Sequence, residues 1–148
     1  NSDTGNRIIS EQIDAFAEAH SERCVVHTSL GQLRYLSALK LDDAVVGNSS
    51  SGLIEVPAFT TATVNIGDRQ KGRLAGRSVI HCAPDSSAIS EAITTAISES
   101  FLSSLDGSHN PYGKAGAAQR VIAELKKYDF SRGVKKSFFD LPHSQTTP

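Results

Sequence analysis

The stretch VVGNSSSGLIEVPAF, residues 45–59, places Asn48, Ser49, Ser50 and Ser51 directly after a β-branched apolar run. A helix beginning near Ser51 would leave its first amide N–H groups without intrahelical partners, at the positive end of its dipole. Small residues let an anion approach that backbone closely, and serine hydroxyls add donors. The same pattern also describes an ordinary serine cap on a helix. Glu55 follows Ser51 by four residues, about one helical turn. A carboxylate there repels a phosphate but accepts hydrogen bonds from vicinal ribose hydroxyls, so cradle plus acid suits a nucleotide better than free phosphate. Its plain alternative is a surface glutamate favoured by the helix dipole.

IGDRQKGR, residues 66–73, carries the second group. Arg69, Lys71, Arg73 and Arg77 put four cations within nine residues. Guanidinium binds phosphate bidentately and stays charged. A solvated basic loop is the usual meaning of such a run; a second phosphate clamp is the functional one. His20, His27, His81, His109 and His143 show no metal-ligand spacing, and there is no CxxC, so zinc is not expected. GNSSSG does not match the GxSxG nucleophile elbow, and neither GxxxxGK[ST] nor GxGxxG occurs.

The elements that must position these groups can be read in order. Residues 5–20 show helical spacing through Ile8, Ile9, Ile13 and Phe16, with Ser2, Asp3 or Thr4 as candidate caps. CVVHT (24–28) reads as a strand, and Leu33, Leu36 and Leu39 share one face of a second helix. Residues 43–48, 62–67 and 78–82 read as further strands, and GLIEVPAF as a short helix with Pro57 near its end. After Pro84 a long helix is expected, capped by Asp85 or Ser86, with Ile89, Ile93, Ala96, Ile97 and Phe101 on its apolar side. A last amphipathic helix covers 117–128. In GSHNPYGKAG (107–116), Tyr112 reads as a packing residue. Strands alternating with helices mean an α/β fold, a parallel sheet with helices on both faces. Ligands bind such sheets at the carboxyl ends of the strands. The serine loop and the basic loop both lie there.

Composition sets bounds. The chain has 148 residues, enough for one domain, with 15 basic against 16 acidic side chains. That balance argues against broad nucleic-acid binding but not against a local anion site. No apolar run approaches the roughly 20 residues of a membrane span, and no signal peptide is visible. Cys24 and Cys82 lie in apolar runs and read as buried free thiols, consistent with a cytoplasmic location. The chain contains no methionine, opens on NSDTGNRI and ends on HSQTTP, as expected of a piece of a longer protein.

GNSSSGLIEVPAF, TVNIGDRQKGR and NPYGKAGAAQRVIAELKK, in this order, resemble the UDP-N-acetylglucosamine 2-epimerases, most closely their hydrolysing, N-acetylmannosamine-forming branch. The opening NSDTGNR resembles the segment just after the first strand of that family's second domain. The resemblance covers essentially the whole chain, yet the family's members are much longer. It implies the C-terminal half of a glycosyltransferase-B-like fold, with two Rossmann-like domains facing a cleft. It implies that Ser49 and Ser50 contact the UDP diphosphate, with Ser51 at the helix start beside them. Glu55 would hold the ribose hydroxyls, and Arg69 would stabilise the departing phosphate. Leu30 falls where the family meets the uracil, and Asn1 where it contacts substrate. Asn6 and Arg7 lie near a segment that binds a feedback inhibitor in some members.

The implied chemistry removes the proton at C2 of the sugar, eliminates UDP to give a glycal, and adds water to release N-acetylmannosamine. No cofactor is implied. The full-length enzyme would be a homo-oligomer with UDP-N-acetylglucosamine as its partner, and neither nucleic acid nor a membrane. The family's acid and base groups lie on the other domain or the linker and map onto nothing here, so this chain alone is expected to bind UDP weakly and not turn over. The family's first strand lies centrally in its sheet and precedes this chain, so exposed apolar surface is expected where it would pair. Two other readings fit the same residues: the donor domain of a glycosyltransferase, and a non-catalytic UDP-sugar-binding module.

Overall fold

The computed structural model describes residues 6–105, 110–133, 135 and 138. The chain divides into two compact units, Asn1–Tyr112 and Gly113–Pro148. In the first unit the elements run α1 (Asn6–Ala19), α2 (Gly31–Ala38), β1 (Ala44–Gly47), α3 (Ser51–Ile54), a 3-10 turn (Val56–Phe59), β2 (Ala62–Ile66), β3 (Val79–Cys82), α4 (Ser86–Ala96) and α5 (Glu99–Ser103).

The three strands form one parallel sheet in the order β1-β2-β3. Ala44 pairs with Ala62 and Val46 with Val64 across the first ladder; Thr63 pairs with Val79 and Asn65 with His81 across the second. The middle strand, ATVNI, is covered on both sides, as its unbroken β-branched and small residues require. Ala62 and Val64 meet Ala92 and Ala96 of α4, with Ile66, Ile80, Ile93, Phe101 and Leu102 around them. On the opposite face α3 lies against Thr63. A methyl group on Gly52 would stand 2.7 Å from Thr63 Cγ2, so only glycine lets the helix backbone come so close. Thr63 Oγ1 donates to the Gly52 carbonyl at 2.9 Å, and Thr61 Oγ1 donates to the Leu39 carbonyl at 2.6 Å. These hydroxyls satisfy buried carbonyls where loops meet the sheet. Leu39, Leu53 and Val56 are buried here, each worth about 1.5–3 kcal/mol of transfer free energy. The fold is a Rossmann-like α/β sheet.

Several local expectations are corrected. CVVHT makes no strand: Cys24–His27 is irregular, and Val25 is 83% exposed. Strand propensity without a neighbouring strand leaves backbone groups unpaired and does not make a ladder. Leu33 does not share the fate of Leu39, being 81% exposed while Leu39 is buried. The long helix after Pro84 is two helices. Ser98 adopts extended angles (φ −69°, ψ 142°) and accepts a hydrogen bond from the Phe101 amide, capping α5 afresh. Ile97, at that break, turns outward. Asp85 caps α4 as expected, accepting from the Ala88 amide at 3.0 Å. Cys24 and Cys82 are free but only half-buried, because one lies in the irregular segment and the other at the open end of β3.

The second unit contains α6 (Ala117–Lys127), close to its expected span, and a short 3-10 turn, Phe130–Arg132. Gly116 at φ 87° opens α6, and the Arg120 guanidinium donates to the Ala115 and Lys114 carbonyls just upstream.

Candidate functional site

β1 ends at Gly47, and the chain turns through Asn48, Ser49 and Ser50 into α3. α3 lasts one turn. Pro57 cannot donate back to a helical carbonyl, and the chain tightens into the 3-10 turn. The helix dipole expected at the serines is therefore that of a single turn. Loop backbone and side chains carry more of the site than a long helix would.

β2 delivers the second loop. Gly67, at φ 71°, turns the chain away from the sheet, and Asp68–Arg73 follow. Gln70 is the residue sequence reasoning missed. It is buried to 4% exposure within a run of charged, exposed neighbours. Its Nε2 donates to the main-chain carbonyl of Asn48 at 2.8 Å, joining the basic loop to the serine loop. The two loops thereby share a cavity of about 270 Å³ lined by Asn48, Ser49, Ser50, Arg69, Gln70 and Arg73. A polar residue in a basic run carries no sequence signal of burial; only the neighbouring β1 loop gives it a partner.

Ser49 and Ser50 line this cavity, as does Arg69. Ser51 is turned elsewhere: its hydroxyl is hydrogen-bonded to the Tyr35 hydroxyl of α2, and its amide donates to Ser49 Oγ at 3.3 Å. Glu55 is exposed at the end of α3, one residue before the 3-10 turn. Its carboxylate makes no hydrogen bond or ion pair among the described residues. Leu30 precedes α2 and is half-buried, next to Gly31 at φ 65°. Arg7 pairs with Glu11 at 3.4 Å on exposed α1. Asn1 lies outside the described residues, as do Ser2, Asp3, Thr4 and His109.

Two ties explain part of the NPYGKAG motif. Asn110 Nδ2 donates to the Ile54 carbonyl at 3.1 Å, beside Glu55, and the Tyr112 hydroxyl donates to the Leu74 carbonyl at 3.0 Å. One residue steadies the α3 end and the other the end of the basic loop. Tyr112 is half-exposed and acts through its hydroxyl rather than by packing alone.

A larger cavity of about 790 Å³ adjoins the first and shares Gln70 and Arg73 with it. Gly67, Lys71, His81, Cys82 and Pro84 also line it. Among the described residues no cluster of His, Cys, Asp or Glu is placed to hold a metal ion. No helix there is long and apolar enough to cross a membrane.

The family profile of the UDP-N-acetylglucosamine 2-epimerases matches residues 1–126, most of the chain and all of the site just described. The chain belongs to that family. Among curated proteins it is 38% identical over 148 residues to the polysialic acid biosynthesis protein P7 of Escherichia coli, covering 99% of this chain and 37% of that protein. It is 41% identical over 80 residues to the GDP/UDP-N,N'-diacetylbacillosamine 2-epimerase (hydrolyzing) of Campylobacter jejuni, covering 54% of this chain and 21% of that protein. It is 32% identical over 126 residues to the UDP-N,N'-diacetylbacillosamine 2-epimerase (hydrolyzing) of Legionella pneumophila, covering 85% of this chain and 32% of that protein. The chain thus spans about a third of the length of such relatives.

Proposed function

We propose that this chain is the UDP-binding part of a hydrolysing UDP-N-acetylglucosamine 2-epimerase, which eliminates UDP and releases N-acetylmannosamine for sialic-acid-type sugars. The observation that carries the reading is the shared mouth of the serine and basic loops. Ser49, Ser50, Arg69 and Arg73 line one small cavity at the carboxyl ends of β1 and β2. Hydroxyl donors and two guanidinium groups around one space suit a diphosphate. Glu55 stands exposed at the α3 end, in reach of solvent, where a carboxylate can accept from ribose hydroxyls. Leu30 lies on the loop before α2, and the uracil is assigned to its backbone. Preorganised donors beside a leaving diphosphate stabilise the charge that develops as the C1–O bond breaks. In this reading the proton at C2 is removed by groups elsewhere in the full-length enzyme, and this chain alone does not turn over. The relatives named as hydrolysing 2-epimerases support the reaction class, and the one named for polysialic acid biosynthesis supports the type of sugar.

The test is a calorimetric titration of UDP into the chain, with uridine and pyrophosphate as controls, repeated on Glu55→Gln. UDP binding well above both controls is expected. The Glu55→Gln variant should lose affinity for UDP and keep its affinity for pyrophosphate. UDP binding no tighter than uridine would sink the reading, and equal losses for UDP and pyrophosphate would remove Glu55 from the ribose.

A further inference from the structure

Tyr35 on α2 and Ser51 at the start of α3 are joined through their hydroxyls, and both side chains are half-buried. Among the described residues this is the one hydrogen bond from α2 (Gly31–Ala38) to another element. The two partners are held very unequally. α3 is fixed to β2 where Gly52 meets Thr63 and Thr63 Oγ1 donates to the Gly52 carbonyl at 2.9 Å. Asn110 holds its far end through the Ile54 carbonyl at 3.1 Å. The serine loop before α3 is held by Gln70 at the Asn48 carbonyl and by the Ser51 amide at Ser49 Oγ.

α2 has far less to hold it. None of its own residues is buried. Its anchor is Leu39, buried just past its end, with the Thr61 hydroxyl on the Leu39 carbonyl. Gly31 to Arg34, its first turn, are exposed. A helix of eight residues does not stand by itself in water, so its first half depends on contacts with the body of the protein. Tyr35 supplies the directional one. Loss of the Tyr35–Ser51 bond therefore frees the start of α2 and leaves the serines where they are. Leu30 leads directly into α2 and lies about 7 Å along the helix axis from Tyr35.

We propose that Tyr35 is a positioning residue: through Ser51 it fixes the Leu30 end of α2 relative to Ser49 and Ser50, so that a base and a diphosphate joined in one ligand meet both contacts at once. The inference rests on the UDP reading, with the uracil at Leu30, and adds to it the residue that couples the two ends of the site. Two contacts at a fixed separation act as one divalent site, and linking two ligand groups gains affinity only where both are engaged together. A spacing set before binding also spares the ligand the cost of ordering α2. The quantity that Tyr35 controls is the advantage of UDP over pyrophosphate.

The experiment measures UDP, uridine and pyrophosphate by calorimetry for wild type, Tyr35→Phe, Ser51→Ala and the double variant, and follows amide hydrogen exchange on the same proteins. Tyr35→Phe keeps the ring and removes only the hydroxyl. Ser51→Ala removes the same bond from the other side and keeps the amide that bonds Ser49. Each should weaken UDP about three- to tenfold, the size of one lost hydrogen bond, while pyrophosphate stays within about twofold. The double variant should bind UDP no more weakly than either single one, because one bond is lost in all three. In Tyr35→Phe the α2 amides should exchange faster and the β2 amides at the wild-type rate, and UDP but not pyrophosphate should restore protection to α2. Equal losses for UDP and pyrophosphate, no loss for either, additive losses in the double variant, or faster exchange in β2 overturn the role of Tyr35 and leave the UDP reading standing. Failure of wild type to bind UDP above uridine and pyrophosphate overturns the UDP reading and this inference with it.

Discussion

Gln70 reaches across from the β2 loop and donates its side-chain amide to the main-chain carbonyl of Asn48, 2.8 Å away on the β1 loop. That bond sets the spacing of the two groups assigned to the diphosphate. A carbonyl can only accept, so the orientation of the Gln70 amide is fixed by chemistry. Gln70→Leu should therefore release the basic loop from the serines. Asn48 is exposed and its carbonyl can turn to water, so the thermal midpoint should change little, at a cost of about 1 kcal/mol. UDP affinity should fall about tenfold, a shift of about 1.4 kcal/mol. Parallel melting and titration of the variant check the split; a large loss of stability with proportionate loss of binding would make Gln70 a core residue only.

Arg69 supplies a permanent charge to the cavity it shares with Ser49 and Ser50. Arg69→Ala should weaken UDP binding and flatten its dependence on ionic strength, because an exposed charge pair is screened by salt. Titrations at low and high salt measure both. An unchanged affinity and slope would remove Arg69 from the phosphates.

Gly52 allows α3 to meet β2, and that approach sets where the serine loop leaves the sheet. Gly52→Ala forces a methyl group to within 2.7 Å of Thr63 Cγ2, which should cost about 1–3 kcal/mol in urea denaturation. Thr63→Ser removes that methyl and keeps the hydroxyl that bonds the Gly52 carbonyl. Combined with Gly52→Ala it should recover much of the loss. An additive double variant would show that the close approach is not the cause.

Asp85 holds the start of α4 through the Ala88 amide and the Ser87 hydroxyl, and these bonds lower its pKa below the ordinary 3.8. The folded state then binds its proton less readily than the unfolded state. This stabilisation is complete above the unfolded pKa and is lost as pH falls through the lowered folded value. Asp85→Asn should therefore flatten the acid limb of a stability-against-pH curve measured by denaturation. An acid limb unchanged by the substitution would count against the cap.

Much of the scaffold was legible from residue pattern. Short β-branched runs at 43–48, 62–67 and 78–82 became the three strands, because each has turn residues at its ends and neighbours to pair with. CVVHT has the same composition and no ladder, since pairing depends on a partner that composition does not reveal. The helix break at Ser98 was hidden because serine at an interior position and serine at a cap look alike until the backbone angles decide.

By itself the sequence determined the residue types of the site: serines at one strand exit, a glutamate one turn later and a basic loop at the next strand exit. These are local facts, set by spacing along the chain. Tertiary structure alone decided which of them share a cavity. Ser51 is drawn to Tyr35, 16 residues away, and Gln70 to Asn48, 22 residues away. Asn65 is placed against His81 only by the register of two parallel strands. Such contacts arise from the packing of the sheet against its helices, and no local pattern encodes which distant backbone carbonyl or ring will stand within hydrogen-bond reach.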